Sequence, residues 1–394
     1  MTRARDNALL LATLAVLAVL TAPAAALPSD SDGETLVVDA DGNADYDSIE
    51  AAVDDAEAGD TVVVRPGTYR ESVTVDADIT LVAPDGATLD GTGLDADTAF
   101  RIPSERDIAP VIDGFTVVNH SSAVRAWNTD GDWVFRNSTV RNATSTGILA
   151  VSSDGDWTVR NVTVDNVWTA IDARSSGGNW TVEDTTLHEN NHHGVFARGS
   201  DGDWLLRNVT VDGTTLVGID AYTASGDWTV WNATVVNTTV AVNAAETNGS
   251  WTIRRITIAN TTASERYDFM SPSLPEGVAV YAGGATGDWT VREGAFADNG
   301  KGIAAPDADP DGTAVNNMWD GAVTPADDDC TGNVDCEGRS TATPSSEDGT
   351  ATATLTDTAT ERTPEGVAPL EQSLSLVVPV AALLALVALA RRRS

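Results

Sequence analysis

Seven tryptophans recur at nearly constant intervals through the middle of the chain, and each follows a short polar turn. The gaps between them are 24, 23, 24, 24, 23 and 38 residues. A period in the twenties is typical of a solenoid, in which one short unit stacks on the next and buries a shared core. The last gap equals one repeat plus an insertion at 262–276, which we expect to form a loop on one face. The tryptophans are Trp133, Trp157, Trp180, Trp204, Trp228, Trp251 and Trp289.

One repeat, residues 155–178, predicts how the unit folds. Trp157 and Val159 share one side of a strand because side chains alternate along it. The alternation breaks at Asn161, and asparagine tolerates the left-handed conformation that a corner requires. A second short strand follows at 170–173 before a glycine-rich turn. This pattern predicts an all-β fold, a single-stranded right-handed parallel β-helix of roughly ten coils between residues 61 and 320.

Both ends of such a stack need covers, because unpaired strands are otherwise exposed. Residues 47–59 predict an N-terminal capping helix, with Asp47 and Glu50 at capping-box spacing and Gly59 at its end. Residues 316–336 predict a C-terminal cap. It includes Cys330 and Cys336, for which we expect a local disulfide rather than two free thiols.

The ends of the chain differ in composition from the β-helix domain at 27–336. Residues 1–26 read as a signal peptide. Residues 337–366 are rich in Thr and Ser and predict a disordered stalk. Residues 367–394 contain an apolar run followed by three arginines, which predicts a transmembrane or sorting tail. We therefore expect an exported protein held at the cell surface by its C-terminus, with its body outside.

The formal net charge is −36, and Lys301 is the only lysine. Such acidity argues against nucleic acid as a partner, because a phosphate backbone needs a basic stripe. Scattered acidic residues with almost no lysine resemble the proteins of halophilic archaea. Salt screens the self-repulsion of such a chain, so we expect the folded state to need salt.

Residues 40–86 resemble the opening of the pectin-lyase-like β-helix proteins, pectin methylesterases among them. The matching residues are Gly59, Asp60, Thr61, Val62, Pro66, Gly67, Tyr69 and Glu71. The tryptophan repeats resemble generic β-helix repeats of archaeal surface proteins and carbohydrate-active enzymes, and 316–321 resembles their Asn-x-Trp-x-Gly closing motif. The resemblance covers about residues 34–336 and implies a fold more than an activity.

The catalytic motifs of those enzymes are missing from the sequence. The additional aspartate motifs and the Gly-Arg-Pro-Trp context of a pectin esterase do not occur. Asn128-Thr-Asp-Gly131 is similar to a polygalacturonase word, but its partner motifs are absent and Asp130 belongs to a repeating turn. We therefore name no catalytic residue.

Two repeating sets of charged residues are candidate binding rows. The residue three places after most of the tryptophans is an arginine, and an outward arginine row suits the carboxylates of an acidic polysaccharide. Charge compensation of the acidic rows is the alternative. The tryptophan row itself is interpreted as core rather than as a sugar platform. The candidate carbohydrate-binding residues are Arg136, Arg160, Arg207, Arg254 and Arg292.

The acidic turns offer weak calcium candidates at Asp130, Asp154 and Asp201, because Ca²⁺ prefers oxygen ligands. Acidic turns that hold no ion are the alternative, and we expect no other cofactor. His188, His192 and His193 form one cluster, interpreted as a polar turn rather than a metal site.

Ten Asn-x-Ser/Thr sequons occur. Asn179 and Asn248 lie in the turns before tryptophans and are the first candidates for glycosylation, because a glycan needs an exposed side chain. Asn119, Asn142, Asn237 and Asn260 are further candidates. Four sequons at one repeated corner, Asn161 among them, could instead form a buried asparagine ladder.

These patterns predict a non-enzymatic surface module that interacts with envelope polysaccharide or an S-layer glycoprotein. A carbohydrate-active enzyme, a lyase, hydrolase or esterase acting on acidic polysaccharide, is the alternative. A cleft holding perturbed carboxylates with an arginine or histidine would favour the enzyme.

Overall fold

The computed structural model describes residues 33–94, 98–262, 277–309, 312–319, 330–332 and 334–338. Strands one repeat apart pair in parallel and in register, so that Trp157 lies between Trp133 and Trp180. This register confirms the parallel β-helix expected from the sequence. The right-handed solenoid has about eleven turns, one more than the repeats suggested.

Each turn passes through three faces, and in most turns each face carries one strand. Face A contains the tryptophan strands and continues around a corner into face B. Three long strands, Thr80–Asp90, Val111–Val118 and Gly312–Trp319, run across both. The other strands of face A are Thr35–Val38, Thr61–Val64, Trp133–Arg136, Trp157–Arg160, Trp180–Glu183, Trp204–Arg207, Trp228–Trp231, Trp251–Arg254, Trp289–Arg292 and Val334–Gly338. Those of face B are Thr68–Tyr69, Thr139–Arg141, Thr163–Asp165, Thr186–His188, Thr210–Asp212, Thr234–Val236, Thr257–Ala259 and Ala295–Ala297.

Face C is a separate parallel sheet of eleven strands. Three of its strands, Thr169–Asp172, Val217–Asp220 and Val240–Asn243, are buried at every position. The strands are Val73–Thr74, Thr98–Ile102, Ser122–Ala126, Thr146–Leu149, Thr169–Asp172, His193–Phe196, Val217–Asp220, Val240–Asn243, Val278–Tyr281, Lys301–Ala305 and Cys330–Gly332.

The seven tryptophans form one continuous stack inside the solenoid. Successive indole centroids lie 4.7–5.2 Å apart, and neighbouring rings are within 9° of parallel. Each tryptophan is only 1–4 % exposed. Offset stacking of aromatic rings adds to the free energy gained from burying them. The indoles are therefore core residues, as the sequence predicted.

The polar turn before each tryptophan connects neighbouring rungs. A Cβ at Gly202 would overlap the carbonyl oxygen of Gly178 in the turn below, so only glycine lets the rungs approach. The next residue is usually an aspartate whose carboxylate accepts a backbone N–H from the adjacent rung, as Asp156 Oδ1 does from Asn179 N at 2.7 Å. The repeated words thus encode rung contact, a rung-to-rung hydrogen bond and a stacked indole.

The corner between faces A and B is formed by residues with positive φ, as the break at Asn161 predicted. Asn137, Asn161, Asn208 and Asn232 all have φ between 51° and 55°. Their side chains form a ladder, in which Asn161 Nδ2 donates to Asn137 Oδ1 at 2.8 Å. All four side chains are exposed. The asparagine ladder that the sequence offered as one alternative does form, but it is exposed rather than buried, because the left-handed corner turns the amides outward.

The N-terminal helix is shorter than the predicted 47–59. It runs from Ile49 to Asp55, with Ser48 rather than Asp47 as its N-cap and Ala56 as its C-cap. Glu71 explains the shift, because its carboxylate accepts from Ile49 N, Glu50 N and Ser48 Oγ at 2.7–3.0 Å. A carboxylate at a helix N-terminus satisfies donors that have no partner within the helix.

Other residues of the opening motif also hold the chain together. Asp60 accepts from Glu34 N and Glu57 N at 2.6 and 2.7 Å. The Tyr69 hydroxyl donates to the Arg65 carbonyl and accepts from Ala40 N. These contacts fix the first turns of the solenoid, so this part of the motif is structural.

The C-terminal end continues the solenoid. Gly312–Trp319 and Val334–Gly338 pair with each other, and Cys330–Gly332 extends face C. Cys330 and Cys336 form a disulfide. The predicted cap at 316–336 is therefore, where it is described, a further set of strands.

The predicted signal peptide at 1–26, the predicted stalk from 339 on, the predicted C-terminal tail and residues 263–276 of the insertion lie outside the described residues. Among the residues that are described, no helix has the length and apolar character to cross a membrane.

We expect Trp204→Ala to lower the free energy of unfolding by about 3–5 kcal/mol, because it opens a cavity in the middle of the stack. Urea unfolding followed by circular dichroism measures this loss. Trp127→Ala is the matched control, since Trp127 is 51 % exposed and should change stability by no more than about 0.5 kcal/mol. Equal effects of the two substitutions would contradict the stack as a source of stability.

Candidate functional site

The arginines predicted to bind carbohydrate do lie in register on face A, but their row is interrupted. Arg160 pairs with Arg136 below it and with Glu183 above it. Trp231 separates the upper arginines from Arg207. The row is therefore a mixed one.

Most of these arginines already have acidic partners. Arg136 Nε lies 2.8 Å from Asp113 Oδ2, and Arg207 pairs with Glu183. Arg254 Nη2 lies 3.0 Å from Glu293 Oε1, and Arg160 lies 3.9 Å from Glu183. No such pair is formed by Arg292 among the described residues. These contacts favour charge compensation over an open binding row.

The acidic turns contain two different rows. Four aspartates next to tryptophans, Asp132, Asp156, Asp203 and Asp227, each accept a backbone N–H of the next rung through one carboxylate oxygen. Asp130, Asp154 and Asp201 form the other row and are exposed. Within the described ranges, these three do not form a group of metal ligands close enough to share one ion.

The sequons differ in whether the amide nitrogen is available. Asn119, Asn237 and Asn260 donate it to oxygens of the neighbouring rung at 2.6–3.2 Å. Asn179 instead accepts through its oxygen from Asp203 N, and Asn248 is exposed. Asn142 accepts through its oxygen from Asn166. The turn sequons therefore keep the nitrogen that a glycan would modify.

The outward side of face C carries a cluster that the repeats did not predict. At one outward position the residue changes from rung to rung, from Arg125 through Leu149, Asp172 and Phe196 to Asp220. On the same side, Leu216, Val217 and Val240 form a small apolar cluster covered by Tyr281, apart from the main core. Face C therefore presents a partly covered outer surface rather than a bare sheet.

Asp220 is the centre of this surface. Its carboxylate is fully buried and lies 3.0 Å from His193 Nε2. It also accepts from Arg198 Nε, Asn243 Nδ2 and Tyr222 N at 2.8–3.2 Å. Burial would raise the pKa of Asp220, but the hydrogen bonds and charges of His193 and Arg198 hold it below the ordinary value. Asp220 is therefore a buried carboxylate anion held by four hydrogen-bonding partners.

Phe196 stacks between cationic and aromatic groups beside Asp220. The His193 ring is parallel to it at 4.0 Å, and the guanidinium carbons of Arg174 and Arg198 lie 4.7 and 5.3 Å from its centroid. Arg174 is held by two hydrogen bonds to Asp172. Cation–π contacts and paired carboxylates together fix the positions of both guanidinium groups.

Exposed indoles flank face C at both ends of its strands. Trp168, 41 % exposed, precedes the strand Thr169–Asp172 and stacks on His192 at 5.2 Å. Trp127 follows the strand Ser122–Ala126 and contacts the Arg125 guanidinium at 5.3 Å. Burial lowers the pKa of His192 to about 4, so its ring is neutral near pH 7.

Two basic residues at this end of face C form no ion pair within the described part of the chain. Arg101 and Arg125 lie in register on adjacent rungs. Most other arginines in the described structure have an acidic partner within 4.0 Å. In a chain of net charge −36, this pair is an unusual concentration of uncompensated positive charge.

The structure divides the histidine cluster found in the sequence. His192 and His193 belong to face C and contact each other at 4.2 Å, whereas His188 lies on face B. A hydrogen bond to Asp165 raises the pKa of His188. The interpretation of 188–193 as one polar turn was therefore incomplete, because two of its histidines are part of the surface around Asp220.

Asp220→Asn should lower the free energy of unfolding by about 3–5 kcal/mol, since it leaves the cations around a buried carboxylate unpaired. The lowered pKa means that the stabilisation is present above the unfolded carboxyl pKa of about 3.9 and is lost as pH falls through the folded value. Urea titrations of both proteins at a series of pH values measure the difference. It should shrink below about pH 4, as the carboxylate of the original chain becomes protonated. Asp154→Asn is the exposed control, and an equal loss there would refute the assignment.

For a chain produced in a host that exports and N-glycosylates it, we expect glycans at Asn179 and Asn248 in preference to the corner sequons such as Asn161. The corner amides already donate to the next rung, and a glycan there would break the ladder. Mass spectrometry of glycopeptides measures the occupancy of each site. Equal occupancy at Asn161 and Asn179 would show that the ladder does not protect the corner.

A family model for the right-handed β-helix region matches residues 122–317. A sequence search finds no match among the curated proteins. The crystal structure of pectate lyase Pel9A superposes with a TM-score of 0.52 and 16 % identity, over 74 % of this chain and 81 % of that one. A rhamnogalacturonan lyase gives 0.44 and 13 % over 67 % and 82 %. The mannuronan C-5 epimerase AlgE6 A-module of Azotobacter vinelandii gives 0.47 and 14 % over 73 % and 93 %. At such identities the likeness concerns the fold alone. The family match and the strand register described above show that the chain is a right-handed parallel β-helix, with a fold like that of pectate lyase Pel9A.

Proposed function

We propose that the protein is a non-enzymatic module that binds acidic polysaccharide along the outer side of face C. The observation that carries this proposal is that Arg101 and Arg125, adjacent to each other and beside the exposed Trp127, form no ion pair with any residue that the structure describes. Guanidinium groups bind carboxylates through two parallel hydrogen bonds, and exposed aromatic rings pack against the apolar faces of sugars. Fixed arginines and flat rings on one surface are the chemistry that a uronate polymer requires.

The file of side chains at one end of the face C strands supports a ligand that lies along the solenoid axis. Trp127, Arg174, Arg198 and Tyr222 each lie two residues beyond the same register position, and Trp168 borders the surface at the other end of the strands. Neighbouring rungs are about 4.8 Å apart, so successive side chains meet successive parts of an extended polymer. The arginines of face A are less available to an acidic ligand, because most of them already pair with acidic residues of the protein.

The partners of the acidic groups described on face C favour a binding role over catalysis. A general base must reach its proton within hydrogen-bond distance. On face C, Asp172 and Asp220 are buried and engaged by arginines, and His193 is buried against Phe196. The alternative is a carbohydrate-active enzyme acting on the same acidic polymers. The perturbed carboxylate beside a histidine and an arginine at Asp220 is the observation that favours it.

The proposal includes a location at the cell surface. The signal-like segment 1–26, the Thr-rich stretch at 337–366 and the apolar tail at 367–394 support an exported chain anchored by its C-terminus. Envelope polysaccharide or the glycans of an S-layer glycoprotein would then be the ligands within reach of face C.

We expect the protein to bind polygalacturonate or alginate more tightly than neutral dextran, and the double variant Arg101→Gln/Arg125→Gln to lose at least about tenfold in affinity. Tenfold corresponds to about 1.4 kcal/mol, within the range of one charge-assisted hydrogen bond. Isothermal titration calorimetry at several salt concentrations measures the affinity. Trp168→Ala should also weaken binding by removing an exposed ring.

The matched control is Arg136→Gln/Arg160→Gln, which removes the same charge from face A. It should change affinity by no more than about twofold, since a surface ion pair is worth about 1 kcal/mol or less to folding and these side chains are outside the proposed surface. Equal losses of affinity in both double variants would show that binding depends only on the overall charge of the protein, and would refute the face C proposal. Release of unsaturated products or new reducing ends from either polymer would establish the enzyme instead.

A further inference from the structure

Face B carries a group of ligating side chains that has no part in the proposed polysaccharide surface. Asp165, His188 and Asp212 occupy the same outward position on three successive rungs. Most rungs carry other residue types here, such as Arg141 and Val236. The single histidine of face B therefore lies between two carboxylates by strand register.

Glu189 adds a third carboxylate from the corner that follows His188. His188 Nδ1 lies 3.1 Å from Asp165 Oδ1, and His188 Nε2 lies 4.0 Å from Glu189 Oε1. One ligand atom from each of Asp165, His188 and Glu189 lies within 4.8 Å of the others. Among the described residues these three form the one such group of potential metal ligands.

Side-chain rotations would bring these groups to one divalent ion. Around a tetrahedral zinc ion, whose bonds to imidazole nitrogen and carboxylate oxygen are about 2.0–2.2 Å long, neighbouring ligand atoms lie about 3.3–3.6 Å apart. Asp165 Oδ1 faces Nδ1 of His188 and Glu189 Oε1 faces Nε2, whereas one ion binds one ring nitrogen, so the exposed Glu189 and the half-buried Asp165 and His188 would turn toward a common point. An imidazole among carboxylates favours Zn²⁺ and similar borderline ions over Ca²⁺, which prefers oxygen alone.

The oxygens of this group are also freer than those of the acidic turns. In the turn row, Asp132, Asp156 and Asp203 each accept a backbone N–H of the next rung. The contacts of Asp165 and Glu189 that the structure shows are with His188. An ion would replace the hydrogen bond between Asp165 and His188 and would itself link their two rungs, without disturbing the backbone hydrogen bonds of the turn row.

We propose that Asp165, His188 and Glu189 bind a divalent transition-metal ion such as Zn²⁺ on face B, with Asp212 adding negative charge beside it. Three protein ligands leave at least one coordination position for solvent or for a donor group of a partner. The ion joins two rungs at the outer surface, and its site is separate from the face C surface. Failure of either proposal would leave the other intact.

The test is a Zn²⁺ titration of the full chain, freed of metal and kept in molar NaCl, by isothermal titration calorimetry. We expect one site per chain, with His188→Gln and Glu189→Gln each lowering the affinity at least about tenfold. Co²⁺ is the spectroscopic probe, because imidazole coordination changes its visible absorption. His192→Gln and Asp154→Asn are matched controls that remove a histidine from face C and a carboxylate from the turn row, and both should bind as the original chain does.

Circular dichroism of the stacked indoles verifies that each variant is folded. The proposal is overturned if His188→Gln binds Zn²⁺ as tightly as the original chain, or if no stoichiometric site appears. Displacement of Zn²⁺ by an equal concentration of Ca²⁺ would also overturn it, since that result describes a general acidic surface. Unchanged polysaccharide binding in His188→Gln is expected and separates this site from face C.

Discussion

The structure depends on the in-register contact between successive rungs at the turn before each tryptophan. Glycine permits the close approach, the following polar side chain accepts the backbone N–H of the next rung, and the indole stacks on the one below. Because all three contacts repeat at one place, they set the register for the remaining strands of each rung. Faces B and C keep the same register, so equivalent residues of successive rungs lie next to each other on all three faces.

Internal and external positions follow different rules in this solenoid. Inside, the same residue type recurs, because stacked indoles and β-branched side chains pack best on their own kind. Outside, acidic and basic residues mostly neutralise each other along face A. Face C departs from both patterns: it buries a carboxylate, orders two arginines around Phe196 and leaves Arg101 and Arg125 without acidic partners in the described structure. The departure from repetition is what distinguishes it.

The same distinction explains what could be predicted from sequence. The tryptophan period and the break at Asn161 are enough to predict the fold, because both reflect contacts that recur between neighbouring rungs. The arginines three residues after the tryptophans could be found from sequence because they recur. In the structure most of them pair with acidic residues of face A. The surface around Asp220 has no period, because Asp172, Phe196 and Asp220 differ at one position of the rung, so only the register of face C brings them together. The helix start was misplaced for a related reason: Ser48 and Asp47 are both good caps, and the choice depends on Glu71, more than twenty residues away.

The insertion before the last tryptophan has a consequence for how such a protein can change. Residues Trp251 and Trp289 are 38 positions apart in the chain, yet their rings stack at 4.8 Å like any other pair. The extra residues enter between Thr262 and Gly277, at the corner where face B passes into face C, and the strands on either side keep their partners. The corner therefore accepts additional chain without transmitting strain along the axis. It is a natural grafting point, at which a new recognition loop could be installed beside face C while the scaffold stays as it is.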